Sequence, residues 1–362
     1  MRPRFLMFLA AVIGVLGFSS TQAAELAKNL KMGTPEIKSA GPMAFGPEGI
    51  LFVGDYISGS VYAIGTGDTK ADGKGAVKVE KIDEKIGSLL GASADGILIN
   101  DVRVNPASGN VFLSVARGKG PDGAPVIVKL DRAGKLTEVA LKEIPFASIT
   151  LPAANTKASG KSKVVESITG IAYIDGKVIV AGLSTEEFAS RLRVIPFPFK
   201  EADKGAGIEI YHGAHGKLET QSPVRTFLPF DIAGETHILA SYTCTPLVKI
   251  PLSELKPGEK VKGTTVAELG NGNRPLDMIQ YKKGDKTFIL MANSKHGVIK
   301  VDTSGIDKIA PITTPVKGTA GLKYESITEL KDVVQLDKLD EERALILVKS
   351  DKNFNLETVP LP

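Results

Sequence analysis

The sequence predicts an all-β chain folded as a six-bladed β-propeller, and three observations lead to this prediction. Short apolar strands recur in pairs joined by turns that contain glycine, aspartate or other charged residues, and a third strand follows each pair. The unit recurs six times, with first strands that start near residues 42, 101, 168, 225, 276 and 327. Units of roughly 50 to 65 residues suit blades built from four short strands.

Each of the six units shows the same order of strands and turns along the chain. The strand–turn–strand pairs span residues 42–54, 101–115, 168–182, 225–242, 276–292 and 327–348, and the third strands span 60–64, 125–130, 192–196, 247–250, 298–301 and 355–359. Fourth strands are predicted at 77–82, 136–141 and 264–269. Two stacked β-sandwich domains are the competing architecture. The propeller is favoured because the unit recurs from end to end without a linker, and we expect strands from the two chain ends to close the ring.

Residues 1–23 have the pattern of a secretory signal peptide. Arg2 and Arg4 precede an apolar run over residues 6–18, and Thr21-Gln22-Ala23 is a small-x-small cleavage site. This run is too short to span a membrane, and no second long apolar run follows it. We therefore expect a single propeller domain over residues 24–362 that is periplasmic or secreted, with no membrane anchor.

Charge and cysteine content exclude several other classes. The net charge is +4, and removal of the two leader arginines leaves 4 − 2 = +2, which is too balanced for a nucleic-acid-binding protein. Cys244 is the only cysteine, so an internal disulfide is impossible. Its thiol could be buried, reactive, a metal ligand or an intermolecular partner, and we expect the chain to be a monomer.

The topology of a propeller places polar residues at the mouth of the central channel. First-strand starts and the loops between second and third strands lie on one face, beside the axis, where propellers commonly bind ligands. The candidate ligand-binding residues on this face are Asn100, Asp101, Glu166, Arg274, Asp277 and Glu325. Residues 165–169 and 324–328 are near copies, which predicts that Glu166 and Glu325 face each other across the channel.

Cys244 and His296 occupy equivalent loops of neighbouring units four and five. A thiolate and an imidazole there could bind copper or zinc, or could act as a nucleophile and its base. The alternative is that they are two unrelated loop residues. His212 and His215 form a His-x-x-His in a glycine-rich turn, which is more typical of a surface loop than of a metal site.

The segment Gly41-Pro42-Met43-Ala44-Phe45-Gly46-Pro47-Glu48-Gly49-Ile50-Leu51-Phe52-Val53-Gly54-Asp55 resembles the repeats of NHL and SMP-30 (gluconolactonase-like) six-bladed propellers. The SMP-30 resemblance implies a divalent cation such as calcium in the channel, which would polarise a lactone and activate water. Asn100 and Asp101 match that family's Asn-Asp pair, but Ala40 stands where the family has a glutamate ligand. The absence of Cys-x-x-Cys-His excludes covalent haem.

Three functions follow as hypotheses. The first is a binding protein that holds a small ligand or a metal ion (copper, zinc or calcium) at the polar mouth of the channel. The second is a metal-dependent hydrolase or lactonase of the SMP-30 type, so the sequence leaves open whether the protein is an enzyme. The third is an interaction scaffold that docks a partner protein on one face.

Overall fold

The computed structural model describes residues 29–71, 73, 75–118, 123–158 and 165–362. The predicted all-β class is confirmed: these residues form 28 strands, numbered here in chain order, and a single α-helix, α1, Ile82–Leu90. The strands make six sheets that are the blades of a β-propeller. The predicted signal peptide, residues 1–23, lies outside the described residues. None of the helices in the described ranges has the length and apolar character needed to cross a bilayer.

We number the blades by the chain order of their innermost strands. Blade 1 contains β2 (Met43–Phe45), β3 (Ile50–Asp55), β4 (Ser60–Gly65), β10 (Ile144–Thr150) and β1 (Lys31–Gly33), from the axis outward. Blade 2 contains β6 (Ile97–Val104), β7 (Val111–Arg117), β8 (Ala124–Leu130) and β9 (Leu136–Glu138). Blade 3 contains β11 (Gly170–Ile174), β12 (Lys177–Leu183), β13 (Ser190–Pro196), β14 (Ala206–His212) and β15 (Lys217–Glu219), with β19 (Lys260–Lys262) parallel to β14.

The other three blades follow the same plan. Blade 4 contains β16 (Thr226–Ile232), β17 (Glu235–Ser241), β18 (Pro246–Pro251), β20 (Thr264–Leu269) and β24 (Thr319–Gly321). Blade 5 contains β21 (Pro275–Lys283), β22 (Lys286–Asn293), β23 (Gly297–Asp302) and β25 (Tyr324–Ser326). Blade 6 contains β26 (Val333–Lys338), β27 (Arg343–Ser350), β28 (Asn353–Pro360) and β5 (Lys78–Val79).

The blades do not follow one another around the ring in chain order. The inner strand β2 lies against β6 and β11, and β6 lies against β2 and β26. The remaining contacts join β11 to β16, β16 to β21 and β21 to β26. The ring therefore runs through blades 1, 3, 4, 5, 6 and 2, so blades 1 and 2 are exchanged relative to a sequential propeller.

This exchange changes which segments supply the outer strands. The predicted fourth strand of the first unit, β5, pairs instead with β28 of blade 6, where Val79 lies opposite Leu356. Blade 1 takes β10 from the chain that follows blade 2. The ring is thus closed by the C-terminal strand and a strand from the first quarter of the chain, and not by the two ends as expected.

The predicted inner strands of units one to five begin within a few residues of the observed ones, but that of unit six is wrong. The predicted first strand began at Ile327, whereas β26 begins at Val333. The helix α1 was also not expected. Its buried Ile82, Ile86 and Leu90 recur every four residues and pack on blades 2 and 6, so the helix has one apolar face.

The core lies between the blades. The middle strands are apolar along most of their length, as in β3, where all six residues are buried, because each blade packs a neighbour on both faces. The largest apolar cluster joins blades 3, 4 and 5 and includes Leu192, Ile238 and Met291, all fully buried. Burial of each such side chain contributes about 1.5–3 kcal/mol, which is the main stabilisation of the ring.

Candidate functional site

Three aspartates on inner strands connect neighbouring blades. Asp101, Asp277 and Asp337 each accept a hydrogen bond from the N–H of the next residue and a second one from the inner strand of the adjacent blade. The second donors are Met43 N at 2.7 Å for Asp101, Leu336 N at 3.3 Å for Asp277 and Val104 N at 2.7 Å for Asp337. These carboxylates hold blades 2 to 1, 5 to 6 and 6 to 2, so backbone donors already occupy them.

Arg103 of blade 2 fills the space between these carboxylates. Its guanidinium contacts Asp101 at 3.2 Å and, past blade 6, Asp277 of blade 5 at 3.1 Å. Its Nε donates to the Met43 carbonyl at 3.2 Å. Burial raises the pKa of Asp101 to about 7 and that of Asp337 to about 6, although Arg103 lowers both. At the centre of the channel, the Arg103 guanidinium is thus paired with the carboxyl groups of Asp101 and Asp277.

The remaining predicted residues at the mouth lie close to polar or charged groups. The Asn100 side chain donates to the Ala40 carbonyl at 2.7 Å. Glu166 forms an ion pair with Arg225, whose Nε donates to Thr243 Oγ1 at 3.0 Å. Arg274 is exposed and lies within electrostatic reach of Glu166 and Arg225.

A small cavity of about 90 Å³ remains at this mouth, lined in part by Asn100, Asp101, Arg103, Arg225 and Asp277. Thr169 Oγ1 and Gln335 Oε1 belong to residues that line it, and both are buried without a hydrogen-bond partner among the described residues. A polar cavity of this size has room for a few water molecules or a very small ligand.

The predicted position of Glu325 is wrong. Glu325 lies on β25, the outer strand of blade 5, opposite Lys300 of β23. Its carboxylate pairs with the Lys300 ammonium at 2.9 Å, and its side chain is 63% exposed. The likeness between residues 165–169 and 324–328 therefore does not place Glu166 and Glu325 across the channel, because only the first copy leads into an inner strand.

A cluster of potential metal ligands lies off the axis, between blades 3 and 4. One ligand atom from each of His212, His215 and Cys244 lies within 4.8 Å of the others. His212 ends β14, and the chain turns back at Gly216 (φ 64°) into β15. This tight turn brings the two imidazole rings together, with centroids 3.8 Å apart.

Glu219 on β15 orients both imidazoles. Its two carboxylate oxygens contact His212 Nδ1 at 3.0 Å and His215 Nδ1 at 2.6 Å. Because both Nδ1 atoms are engaged, the Nε2 atoms are the free metal-ligating positions, and His212 Nε2 is buried with no partner within the described part of the chain. Metal-binding histidines commonly have a carboxylate on the second ring nitrogen.

The protonation states suit a metal site. Burial opposes ionisation of Glu219, but hydrogen bonds from Ser222, His212 and His215 lower its pKa to about 2. Burial lowers the pKa of His212 despite the neighbouring Glu219. A neutral imidazole beside an ionised carboxylate is the form that binds a metal ion.

Cys244 reaches the cluster from the loop between β17 and β18. Its backbone is left-handed (φ 65°), and its N–H donates to the Asn273 carbonyl at 2.7 Å, so contacts with the segment that leads into blade 5 hold the loop. Cys244 is half-buried, and the His215 side chain is 44% exposed, which leaves one side of the cluster open to solvent.

Glu268 of blade 4 lies beside the same turn. It is almost fully buried, and its Oε1 accepts a hydrogen bond from Gly213 N at 2.6 Å. Its Oε2 is buried without a partner within the described ranges, and burial raises its pKa to about 7. The turn that carries His215 is therefore held by blade 4 as well as by blade 3.

The sequence prediction identified only one member of this cluster. The structure gathers His212 and His215 around Cys244, and not the predicted partner His296. The expectation of a surface loop at the His-x-x-His is wrong for His212, which is 1% exposed. The signal that could have found the site is the combination of His-x-x-His at a strand end with Glu219 seven residues after His212, on the next strand.

Comparisons with known proteins show no family for this chain. No family model matches the sequence, and no curated protein matches it. A chain of the mitotic checkpoint complex aligns at 9% identity over 99% of both chains, with a TM-score of 0.41. An oxidoreductase of Thermus thermophilus, named as a glucose dehydrogenase, aligns at 9% identity over 91% of this chain and 100% of its own, with a TM-score of 0.35. A Bacteroides thetaiotaomicron protein aligns at 10% identity over 91% of this chain and 72% of its own, with a TM-score of 0.38. These scores are too low to support an argument about function.

Proposed function

We propose that the protein is a metal-binding β-propeller that holds one zinc or copper ion through His212, His215 and Cys244. The observation that carries this proposal is the convergence of three ligand atoms within 4.8 Å of one another, with both histidines oriented by Glu219. A carboxylate that fixes the ring orientation of two histidines is a feature of metal sites more than of surface turns.

The donor set favours a borderline or soft metal. Two imidazoles and a thiolate suit zinc or copper, whereas calcium prefers six to eight oxygen ligands. The calcium alternative of the sequence analysis therefore has less support at this cluster. The open side near His215 leaves a coordination position for water or for a ligand, which is typical of zinc sites that are not purely structural.

Export of the chain to the periplasm or the exterior would be compatible with a metal-bound thiolate. A predicted leader over residues 1–23 would export the chain to an oxidising compartment, where a lone thiol is exposed to oxidation. Coordination of Cys244 by a metal would keep that thiol as a protected thiolate.

Metal analysis of purified protein tests the proposal. We expect about one equivalent of zinc or copper after loading and dialysis, and loss of most of it in Cys244→Ser and His212→Gln variants. His296→Gln is the matched control because it removes an imidazole outside the cluster, and it should retain the metal. In the cobalt-substituted protein, a thiolate-to-cobalt absorption band should appear and should be absent in Cys244→Ser.

The proposal fails if neither zinc nor copper binds at one equivalent, or if Cys244→Ser and His212→Gln keep their metal. Circular dichroism of each variant shows whether the fold is intact, so that loss of metal is not confused with unfolding.

The central channel supports a second, smaller role in ligand binding. Thr169 and Gln335 are among the residues that line its 90 Å³ cavity, which could hold water or a very small polar ligand. An SMP-30-type lactonase has less support, because Asp101 is paired with Arg103 and with backbone donors, and Ala40 offers no ligand.

A further inference from the structure

A cleft of about 560 Å³ lies between blades 5 and 6, on the face that carries the channel mouth. One wall is the turn between β22 and β23, residues 294–296, which includes His296, together with the flanking strand residues Asn293 and Gly297. The opposite wall is the crossover segment, residues 327–332, which joins the short outer strand β25 to the inner strand β26. The volume of the cleft is in the range of clefts that bind small molecules.

The floor of the cleft is apolar. Leu276 and Val298 of blade 5 line it together with Ile327, Leu330 and Val333 of the crossover and β26. Apolar floors of this kind supply most of the binding free energy for a small ligand, because the ligand's apolar surface leaves water.

The rim of the cleft is cationic. Lys295, Lys331 and Lys349 line it and are exposed, and Asp332 is the one carboxylate among the lining residues. Within the described ranges, none of these three ammonium groups has a carboxylate within 4.0 Å, whereas Lys286 and Lys300, which lie on blade 5 outside the cleft, each form an ion pair. Three positive charges above an apolar floor attract a negatively charged group.

Hydrogen bonds hold the wall that carries Lys295 in place. The buried Asn273 accepts from Lys295 N at 3.0 Å and donates to Asn293 at 3.0 Å. Ser294 N donates to the Arg274 carbonyl at 2.9 Å. On the other wall, Lys349 N donates to the Asp332 carbonyl at 2.9 Å. The backbone of both walls is therefore already ordered, which reduces the entropic cost of binding.

We propose that this cleft binds a small amphipathic organic anion, with its carboxylate at Lys295, Lys331 and Lys349 and its apolar body on Leu276, Leu330 and Val333. The site is separate from the cluster of His212, His215 and Cys244, so the inference goes beyond the proposed metal-binding function and does not depend on it.

Isothermal titration calorimetry with octanoate tests this inference on the full chain. Octan-1-ol and octylammonium provide the same apolar body with no charge or with the opposite charge. We expect octanoate to bind with one site, octanol at least tenfold more weakly, and octylammonium not at all. A Lys331→Gln, Lys349→Gln double variant should bind octanoate at least tenfold more weakly.

A Lys256→Gln, Lys283→Gln double variant is the control, since it removes two exposed charges outside the cleft and should bind octanoate as the parent does. The inference is overturned if octanoate does not bind, if octanol binds equally well, or if both double variants behave alike. Metal content is measured on the same samples, so that a failure of octanoate binding can be distinguished from a failure of metal binding at His212, His215 and Cys244.

Discussion

The central channel and the off-axis cluster between blades 3 and 4 both contain buried carboxylates, but the partners of these carboxylates differ. In the channel, Asp101, Asp277 and Asp337 accept backbone hydrogen bonds from adjacent blades, and Arg103 pairs with two of them. In the cluster, Glu219 engages only the Nδ1 atoms of its histidines and leaves His212 Nε2 unpartnered within the described part of the chain. The channel carboxylates are thus satisfied within the protein, whereas the cluster keeps a ligand atom that the proposed metal ion would bind.

The largest effect should come from breaking the channel network. Arg103→Met is expected to lower the free energy of unfolding by about 3 kcal/mol or more, because it leaves the Asp101 and Asp277 carboxylates buried without their counter-charge. Urea denaturation followed by circular dichroism measures this change. Metal content should not change, since the cluster is on other blades.

Asp101→Asn in the Arg103→Met background should recover part of that stability, because it removes one of the unpaired charges. If Arg103→Met costs less than about 1 kcal/mol, the channel network does not hold the blades together as described.

A smaller effect is expected from Glu219→Gln at the cluster. It should weaken metal affinity by about 10–100-fold, since the histidines lose the carboxylate that orients them and raises their basicity. Competition with a chromophoric chelator measures the affinity. Glu254→Gln, an exposed carboxylate on blade 4, is the control and should bind metal as the parent does.

Unchanged affinity in Glu219→Gln would show that the two short contacts do not prepare the imidazoles for a metal. The cluster would then be a structural group of polar side chains, as the channel network is.

The last expected effect is the pH dependence of stability in the metal-free protein. Burial raises the pKa of Asp101 to about 7 and that of Asp337 to about 6, against an ordinary value of 3.8. Between about pH 4 and pH 7 these two carboxyl groups therefore bind more protons in the folded state than in the unfolded chain, so their contribution to stability falls as the pH rises through this range. Urea unfolding at about pH 5 and about pH 8 should show a lower free energy at the higher pH.

The Asp101→Asn variant should show a smaller difference between the two pH values, because it lacks one of the titrating groups. An equal or larger difference in this variant would mean that Asp101 does not titrate as its burial implies.

The positions of most inner strands could be predicted from local patterns, but the partners of the outer strands could not. The alternation of apolar residues around a turn locates a hairpin such as β11–β12, whose two strands are joined through Asp175 and Gly176. By contrast, β5 has the same pattern whether it completes blade 1 or blade 6, and only its pairing with Leu356 decides between them. The sequence around Glu325 likewise fits an inner or an outer strand, and only the pairing of β25 with β23 places Glu325 on the outer strand of blade 5.

The candidate site shows the same division. Cys244 could be predicted as one candidate ligand because a lone thiol cannot form an internal disulfide, but the sequence leaves a buried, reactive or intermolecular thiol equally open. His212 and His215 could not be connected to it, because the contact depends on how the outer strand of blade 3 packs against a loop of blade 4. Asp101 and Asp277 were predicted to bind a ligand, yet their carboxylates are occupied by neighbouring strands and by Arg103.

Local patterns in the amino-acid sequence were enough to determine the all-β class, the six repeated units and the polar character of the mouth, since these depend on residues a few positions apart. Only the tertiary structure decided the exchange of blades 1 and 2 and the closure of the ring through β5. The same holds for the proximity of His212, His215 and Cys244. The physical reason is that hydrophobic alternation encodes which residues form a strand, while the choice of a neighbour depends on edge pairing and packing between segments that are far apart in the chain.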